Sequence, residues 1–484
     1  MTTLHEGTHR VFHTSTNAPT KESRARAIER RPVAAPPDGE SAVLTPDHGP
    51  VWRVVAASLM TGFTGALVLT LVVFAGAPEH VITGSALLAF ACGWAMLAAL
   101  STRLTTQPQR WALAPAALMT VAGLALLVVR PGDRALNAAG WLWPPVGLAL
   151  AVWTVVQLRR GLSGRVRWLL YPVVAALFVG SVGGMYETVA LERDQRSYPA
   201  PGELYDVGDH RLHLNCSGSG SPTVVLANGL GESSLIWSRI TADVSRTSRV
   251  CAYDRAGQGW SDDATGAQDG LAVAADLHGL LERAGENGPY VLVGHSAGGA
   301  YSMTYAAQYP DEVAGMVLLD SMSPYEFTVL PDFAAEYSMM RRGLGVLPSV
   351  ARLGIAQVLP ASMFSTLPEP QASQYRAFAT SPRQMRNMRD EQSVYRDLFT
   401  QAQELTSLDG KPLVVVTVTE SLRKTTGWSD AQNQLAALSS NSQHRIIDAT
   451  HGGMLDDENT FGSSVVAIDD VIQSIRADAP LVTR

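Results

Sequence analysis

The sequence predicts a chain in two parts. An all-α bundle of transmembrane helices is followed by an α/β domain whose eight-stranded, mostly parallel sheet carries a helical insertion. Three observations predict this. Five apolar runs lie between residues 51 and 190, each near the roughly 20 residues that cross a bilayer as a helix. From about Gly202, short β-branched runs alternate with amphipathic segments, the pattern of an α/β sheet. Between Ser323 and Leu408 the alternation gives way to a helical stretch containing Met339, Met340, Met363, Met385 and Met388. At 484 residues the chain exceeds one ordinary domain. Its mean hydropathy of +0.07, with 17% charged residues, is high for a soluble protein.

The first fifty residues hold Pro, Ser, Thr and Arg with few large apolar side chains, the composition of a disordered tail. His5, His9 and His13 are spaced to share one helix face, but no carboxylate or cysteine joins them as a metal ligand. The apolar runs then lie at Trp52–Ala75, Val81–Leu100, Trp111–Val129, Ala138–Leu158 and Trp168–Tyr186. Trp52, Trp111 and Trp168 stand at run ends, where an interfacial aromatic belt places them. Pro144-Pro145 makes the fourth run the weakest. The first run starts too late and has too many successors to read as a cleaved signal peptide.

Basic residues in short flanks orient such a bundle. Lys21, Arg24, Arg26, Arg30 and Arg31 precede the first run and Arg53 stands at its start, Arg103 and Arg110 follow the second, and Arg159, Arg160, Arg165 and Arg167 follow the fourth. The alternate flanks carry only Arg130 and Arg134. The expectation is a cytoplasmic N-terminus over 1–50, a membrane region over 51–190, a linker over 191–201 and an extracytoplasmic remainder. One miscounted span reverses the side. The runs contain almost no ionisable residue, which suits an anchor better than an ion pathway.

In the second part the candidate strands are Leu204–Val207, Arg211–Cys216, Thr223–Ala227, Val250–Tyr253, Tyr290–Val293, Met316–Leu319, Pro412–Thr419 and Arg445–Asp448. Leu277, Leu280 and Leu281 recur at helical spacing within Ala272–Ala284. The stretch richest in chemistry is Gly294-His295-Ser296-Ala297-Gly298, between the apolar run Tyr290–Val293 and a helix-like segment ending near Tyr309. Strand, G-x-S-x-G and helix in that order make a nucleophile elbow, a turn so sharp that it exposes the serine hydroxyl above the sheet edge.

Four motifs in order make this part resemble the α/β-hydrolase superfamily, in the group with a cap between the sixth and seventh strands. They are Asn228-Gly229-Leu230, Tyr253-Asp254-Arg255-Ala256-Gly257-Gln258-Gly259-Trp260-Ser261, the elbow, and Thr450-His451-Gly452-Gly453. The resemblance covers about Gly202 to Ile472 and divides it into a core over 202–322, a cap over 323–408 and a second core segment over 409–484. It implies Ser296 as nucleophile, His451 as base, and the backbone N–H groups of Leu230 and Ala297 as oxyanion donors. The usual acid follows the seventh strand, where this chain has Glu420-Ser421-Leu422. A variation takes it from the end of the sixth, where Asp320 stands, and Asp320 is preferred over Glu420; Asp430 and Asp448 are weaker alternatives. Asn228 and His295 are candidate substrate contacts, whereas His213, His278 and His444 read as packing or surface residues. Cys216 and Cys251 fall at corresponding ends of strands that neighbour one another in this fold, so they are a candidate disulfide.

The resulting expectation is a membrane-anchored serine hydrolase cleaving an ester, thioester or amide of a small or lipid-like acyl substrate. Peptidase, lipase and acyltransferase chemistry share the arrangement. The alternatives are an inactive hydrolase fold used for binding, and a transporter with an appended enzyme. A nucleophilic serine argues against dehalogenase or epoxide-hydrolase chemistry. The net charge of −7 gives no case for nucleic acid. The three cysteines lack metal-ligand spacing, so neither metal nor cofactor is expected.

Overall fold

The computed structural model describes residues 50–162 and 164–482. The expected tail, with His5, His9 and His13 and most of the first basic flank, lies outside them. The N-terminal region is helical: α1 (Val51–Val68, prolonged by a wider turn to Val73), α2 (Glu79–Leu104), α3 (Leu113–Val129), α4 (Asp133–Ala139), α5 (Trp143–Gly161) and α6 (Tyr171–Ser197). Among the described residues four helical stretches are long and apolar enough to cross a membrane, or five if α4 and α5, bent by 41°, act as one. The bend has a covalent cause. Pro144 and Pro145 lack the N–H that would continue a helix from Ala139, and they open α5 instead. The expected linker over 191–201 is largely absent, because α6 continues to Ser197. The polar run Glu192–Ser197 helps to hold that end, with Arg196 Nη2 2.9 Å from Glu192 one turn back.

Eight strands follow: β1 (Glu203–Asp206), β2 (Arg211–Ser217), β3 (Thr223–Ala227), β4 (Val250–Tyr253), β5 (Tyr290–His295), β6 (Val313–Leu319), β7 (Leu413–Val418) and β8 (Ser442–Ile447). They form one sheet in the order β1-β2-β4-β3-β5-β6-β7-β8. β1 and β2 are antiparallel to their neighbours and the rest are parallel. β3, β4, β5 and β7 are buried at every position. That is why they read as continuous apolar runs rather than alternating ones.

Helices cover both faces: α7 (Ser238–Val244), α8 (Gly270–Ala284) and α9 (Ala297–Gln308). Between β6 and β7 the insertion contributes α10 (Glu326–Val329), α11 (Phe333–Ala351), α12 (Gln371–Ala379), α13 (Pro382–Ser393) and α14 (Tyr395–Ala402). After β7 come α15 (Thr419–Lys424), α16 (Trp428–Ala436), α17 (Gly453–Asp456) and α18 (Phe461–Ala477). One face packs α8, α9, α14 and α16 around Leu277, Tyr301, Leu398 and Leu435, and the other packs α7, α17 and α18 around Ile240, Met454 and Ile468. β2 and β4 place Cys216 directly opposite Cys251, and the structure joins them in a disulfide.

Candidate active site

The elbow forms because small residues flank the serine. A Cβ on Gly294 would stand 2.5 Å from Gly299 Cα, and one on Gly298 would stand 2.2 Å from the Ala227 carbonyl oxygen. Between them Ser296 takes φ 52° and ψ −123°, a conformation that costs a non-glycine residue roughly 1–3 kcal/mol and clusters at functional sites. Three backbone bonds hold it there, Ser296 N–H to Leu319 O (3.2 Å), and Met322 N–H (2.9 Å) and Gly299 N–H (3.1 Å) to Ser296 O. α9 begins at Ala297, whose N–H, as the first of a helix, has no acceptor within it.

His451 lies between β8 and α17, its side chain 41% exposed. Its Nδ1 is 2.6 Å from Asp320 Oδ2. Asp320 directly follows β6 and is fully buried, with φ 41°. Its carboxylate also accepts from Ser421 Oγ (2.5 Å), Trp428 Nε1 (2.9 Å) and Val418 N–H (3.3 Å). Burial pushes this carboxyl upward, but the hydrogen bond and charge of His451, with the Ser421 and Trp428 donors, outweigh it and hold Asp320 below the usual carboxylate range.

Glu420 meets a different part of the same histidine. It accepts the His451 backbone N–H (2.7 Å) and pairs with Lys424 Nζ at 2.6 Å. The Lys424 hydrogen bond, then that of the His451 amide, hold its carboxyl low. The side-chain contact to the ring therefore comes from Asp320, and Glu420 fixes the loop. Asp448 accepts from Thr419 Oγ1 instead.

Ser296, His451 and Leu230 line one cavity of about 320 Å³. Leu330, Phe333, Met340, Tyr395 and Trp428 give it an apolar wall, and Glu326, Glu336, Glu420 and Lys424 add charge.

Two expected substrate contacts do not face this cavity. Asn228 is fully buried. Its amide donates to Tyr253 O (3.0 Å) and Gln258 Oε1 (3.1 Å), and its oxygen accepts from Trp237 Nε1 (2.7 Å). All of that polar capacity goes into supporting the loop. His295 is also buried, with Nδ1 2.8 Å from Glu232 Oε1 and Nε2 3.0 Å from His451 O. Its burial opposes a charge, but Glu232 prevails and raises the imidazole above its ordinary value. His295 thus ties the elbow to the loops bearing Leu230 and His451. The other histidines are occupied elsewhere: His213 with Asp254, His278 with Glu312, His444 with Thr417 and Asn433.

Three residues of this network carry no role in the sequence reading: Glu232, Arg255 and Glu391. Glu232 accepts the Gly229 N–H at 2.5 Å. Arg255 is buried and forms a two-bond pair with Glu391 of α13, Nε–Oε1 3.0 Å and Nη2–Oε2 3.1 Å. It also donates to the carbonyls of Asn228 (2.6 Å) and Gly229 (3.2 Å). In a trans peptide the C=O and the following N–H point in opposite directions. Holding Gly229 O therefore turns the Leu230 N–H to the far side from Arg255. Arg255 sits in a quoted motif, so the residue was visible; its partner lies 136 positions away, beyond any local pattern. Among the described residues the one group with metal-ligand spacing is Cys216, Cys251 and Glu286, and its two sulfurs are already bonded to each other.

Residues 222–458 match the family model described as α/β hydrolase fold. An uncharacterised protein of Schizosaccharomyces pombe is 30% identical over 299 residues, covering 54% of each chain. Lipase LipV of Mycobacterium tuberculosis is 40% identical over 110 residues, 22% of this chain and 41% of that one. The chain thus spans about half or less of the length of these relatives. A thermophilic esterase from Thermogutta terrifontis is 22% identical, with a TM-score of 0.42 over 55% of this chain and 94% of that one. The mostly parallel sheet and the helical insertion agree with that match, and residues 222–458 form a domain of the α/β hydrolase fold.

Proposed function

We propose that this protein is a membrane-anchored serine hydrolase acting on an ester, thioester or amide through an acyl-enzyme intermediate. The observation that carries the reading is the contact of Asp320 with His451 Nδ1, in a cavity that Ser296 shares. Asp320 keeps the proton on Nδ1 and leaves Nε2 free to act as base. Nε2 takes the Ser296 proton as Oγ attacks the acyl carbon. The negative charge on the acyl oxygen goes to the N–H groups of Leu230 and Ala297. The protonated imidazole then gives its proton to the leaving group, and water repeats the sequence to free the acid.

The membrane part of the reading has a geometric support. Arg352 binds both Glu79, at the start of α2, and Asp133, at the start of α4. At the other end Gln109, between α2 and α3, donates to Gly161 O at the end of α5 (3.0 Å). Such alternation of ends fits five crossings with α4 and α5 as one. With the basic flanks, it supports an extracytoplasmic side for the hydrolase domain.

The test is labelling by a fluorophosphonate and turnover of p-nitrophenyl esters of varied chain length. Wild type labels and Ser296→Ala does not. Asp320→Asn lowers kcat by up to about 10⁴-fold, as loss of the orienting acid does in the serine-protease template, and Glu420→Gln lowers it far less. An intact protein that takes no label favours a binding module; equal losses in the two acid variants would move the acid to Glu420.

A further inference from the structure

α11 has different surroundings at its two ends. Its first half lines the cavity beside Ser296 through Phe333, Glu336 and Met340. Its second half lies on the helical bundle. A Cβ on Gly76, just past α1, would stand 2.6 Å from Arg341 Cγ. Ser349 Oγ is 2.7 Å from Thr83 Oγ1 of α2. Just beyond the helix, Arg352 bonds both carboxylate oxygens of Glu79, Asp133 Oδ1 (2.9 Å) and Asn137 Oδ1 (2.8 Å). The next residue, Leu353, approaches α6 so closely that a Cβ on Gly183 would come within 2.0 Å of its carbonyl oxygen.

Met340, which lines the cavity, and Arg341, which lies on Gly76, are consecutive. At about 1.5 Å of rise per residue, the cavity wall stands level with the point where the first apolar helix ends. At that level Val72 and Val73 are exposed. The same cap segment exposes Met339 (70%), Ile355, Val358 and Met363. So many large apolar side chains in one segment mark an interaction surface. Its continuity with the spans names the bilayer as what covers it. Inside the cavity Glu336 and Glu420 outnumber Lys424, which is itself paired with Glu420. That surplus repels an anionic headgroup.

We propose that the cavity takes its substrate from the lipid phase, as an uncharged long-chain acyl ester, and that the clasp of Arg352 on Glu79 and Asp133 holds α11 where cavity and bilayer meet. The proposal rests on the serine-hydrolase and membrane-spanning readings above. It makes the helical bundle part of the substrate path rather than a tether alone, and Arg352 a positioning residue.

The experiment uses the full chain in phosphatidylcholine vesicles with two substrates, dioleoylglycerol within the bilayer and p-nitrophenyl acetate in the water. Wild type cleaves both. Arg352→Met lowers the ratio of lipid-ester to soluble-ester turnover by about tenfold or more. Met339→Glu, at an exposed position outside the cavity wall, lowers the same ratio and serves should Arg352→Met fail to fold. Dioleoylphosphatidic acid, with the same acyl chains and an anionic head, is cleaved far more slowly than dioleoylglycerol. A protein that labels with fluorophosphonate and cleaves the soluble ester but leaves dioleoylglycerol intact overturns the proposal alone. So does a ratio that neither variant changes. Absence of labelling overturns the hydrolase reading and this proposal together.

Discussion

Asp320 and Glu326, six residues apart, are both buried, and they titrate in opposite directions because their partners differ. Asp320 has donors on both oxygens. Glu326 has the Ser323 N–H at 2.9 Å, and burial, opposed by that bond and reinforced by the charges of Asp320 and Glu336, lifts its carboxyl from 4.5 to about 8. Between those values the folded protein keeps a proton that the unfolded chain has released. Stability therefore falls as pH rises through that window. Glutamine cannot ionise, yet its oxygen still accepts the Ser323 N–H. We expect Glu326→Gln to melt a few degrees above wild type at pH 8, at about 2–4 °C per kcal/mol for a domain of this size, with the gap closing towards pH 5. Superimposable melting temperatures across that range would remove the argument.

Among elements, the loop after β3, the loop after β4 and helix α13 meet at Arg255. Its guanidinium serves Glu391 and two carbonyls at once, a set that needs a planar fork of donors. Lysine keeps the charge and loses the fork. Arg255→Lys is expected to lower kcat of ester hydrolysis by up to about 10²-fold, the lower range for loss of one oxyanion donor, with little change in KM. A kcat equal to wild type, in a variant that melts normally, would show that the Leu230 N–H needs no such support. α11 gives the second lesson at this scale. Two adjacent methionines differ there: Met339 is 70% exposed while its neighbour Met340 lines the cavity. A helix turns about 100° per residue, so composition alone does not assign a face.

For the whole molecule, the disulfide and the membrane topology bear on one question, which side of the bilayer the hydrolase domain occupies. A bond between Cys216 and Cys251, 35 residues apart, persists in an oxidising compartment and agrees with the extracytoplasmic side proposed from the basic flanks. Unfolded protein isolated without reductant should offer one reactive thiol, Cys92, and three after reduction. Cys216→Ser should cost about 2–4 kcal/mol of stability, measured by denaturant unfolding of the detergent-solubilised chain. Three thiols without reductant would remove this support for the extracytoplasmic side.

The sequence by itself determined the parallel sheet, the nucleophile elbow and the apolar runs, because each depends on residues near in sequence: a buried strand needs a short β-branched run, and a sharp turn needs glycine on both sides of Ser296. It also held both candidate acids and preferred Asp320 by resemblance alone, since Asp320 and Glu420 each follow a strand in the right order. Only the tertiary structure decided which of them meets the His451 ring, and it did so by bringing Ser421 and Trp428 to Asp320 across 101 and 108 positions. It likewise turned Asn228 and His295 inward, because a buried polar group takes whatever partners the packed interior supplies. The docking of α11 on the bundle was beyond local pattern for the same reason. Arg352 and Glu79 are 273 residues apart, and nothing in either neighbourhood encodes the other.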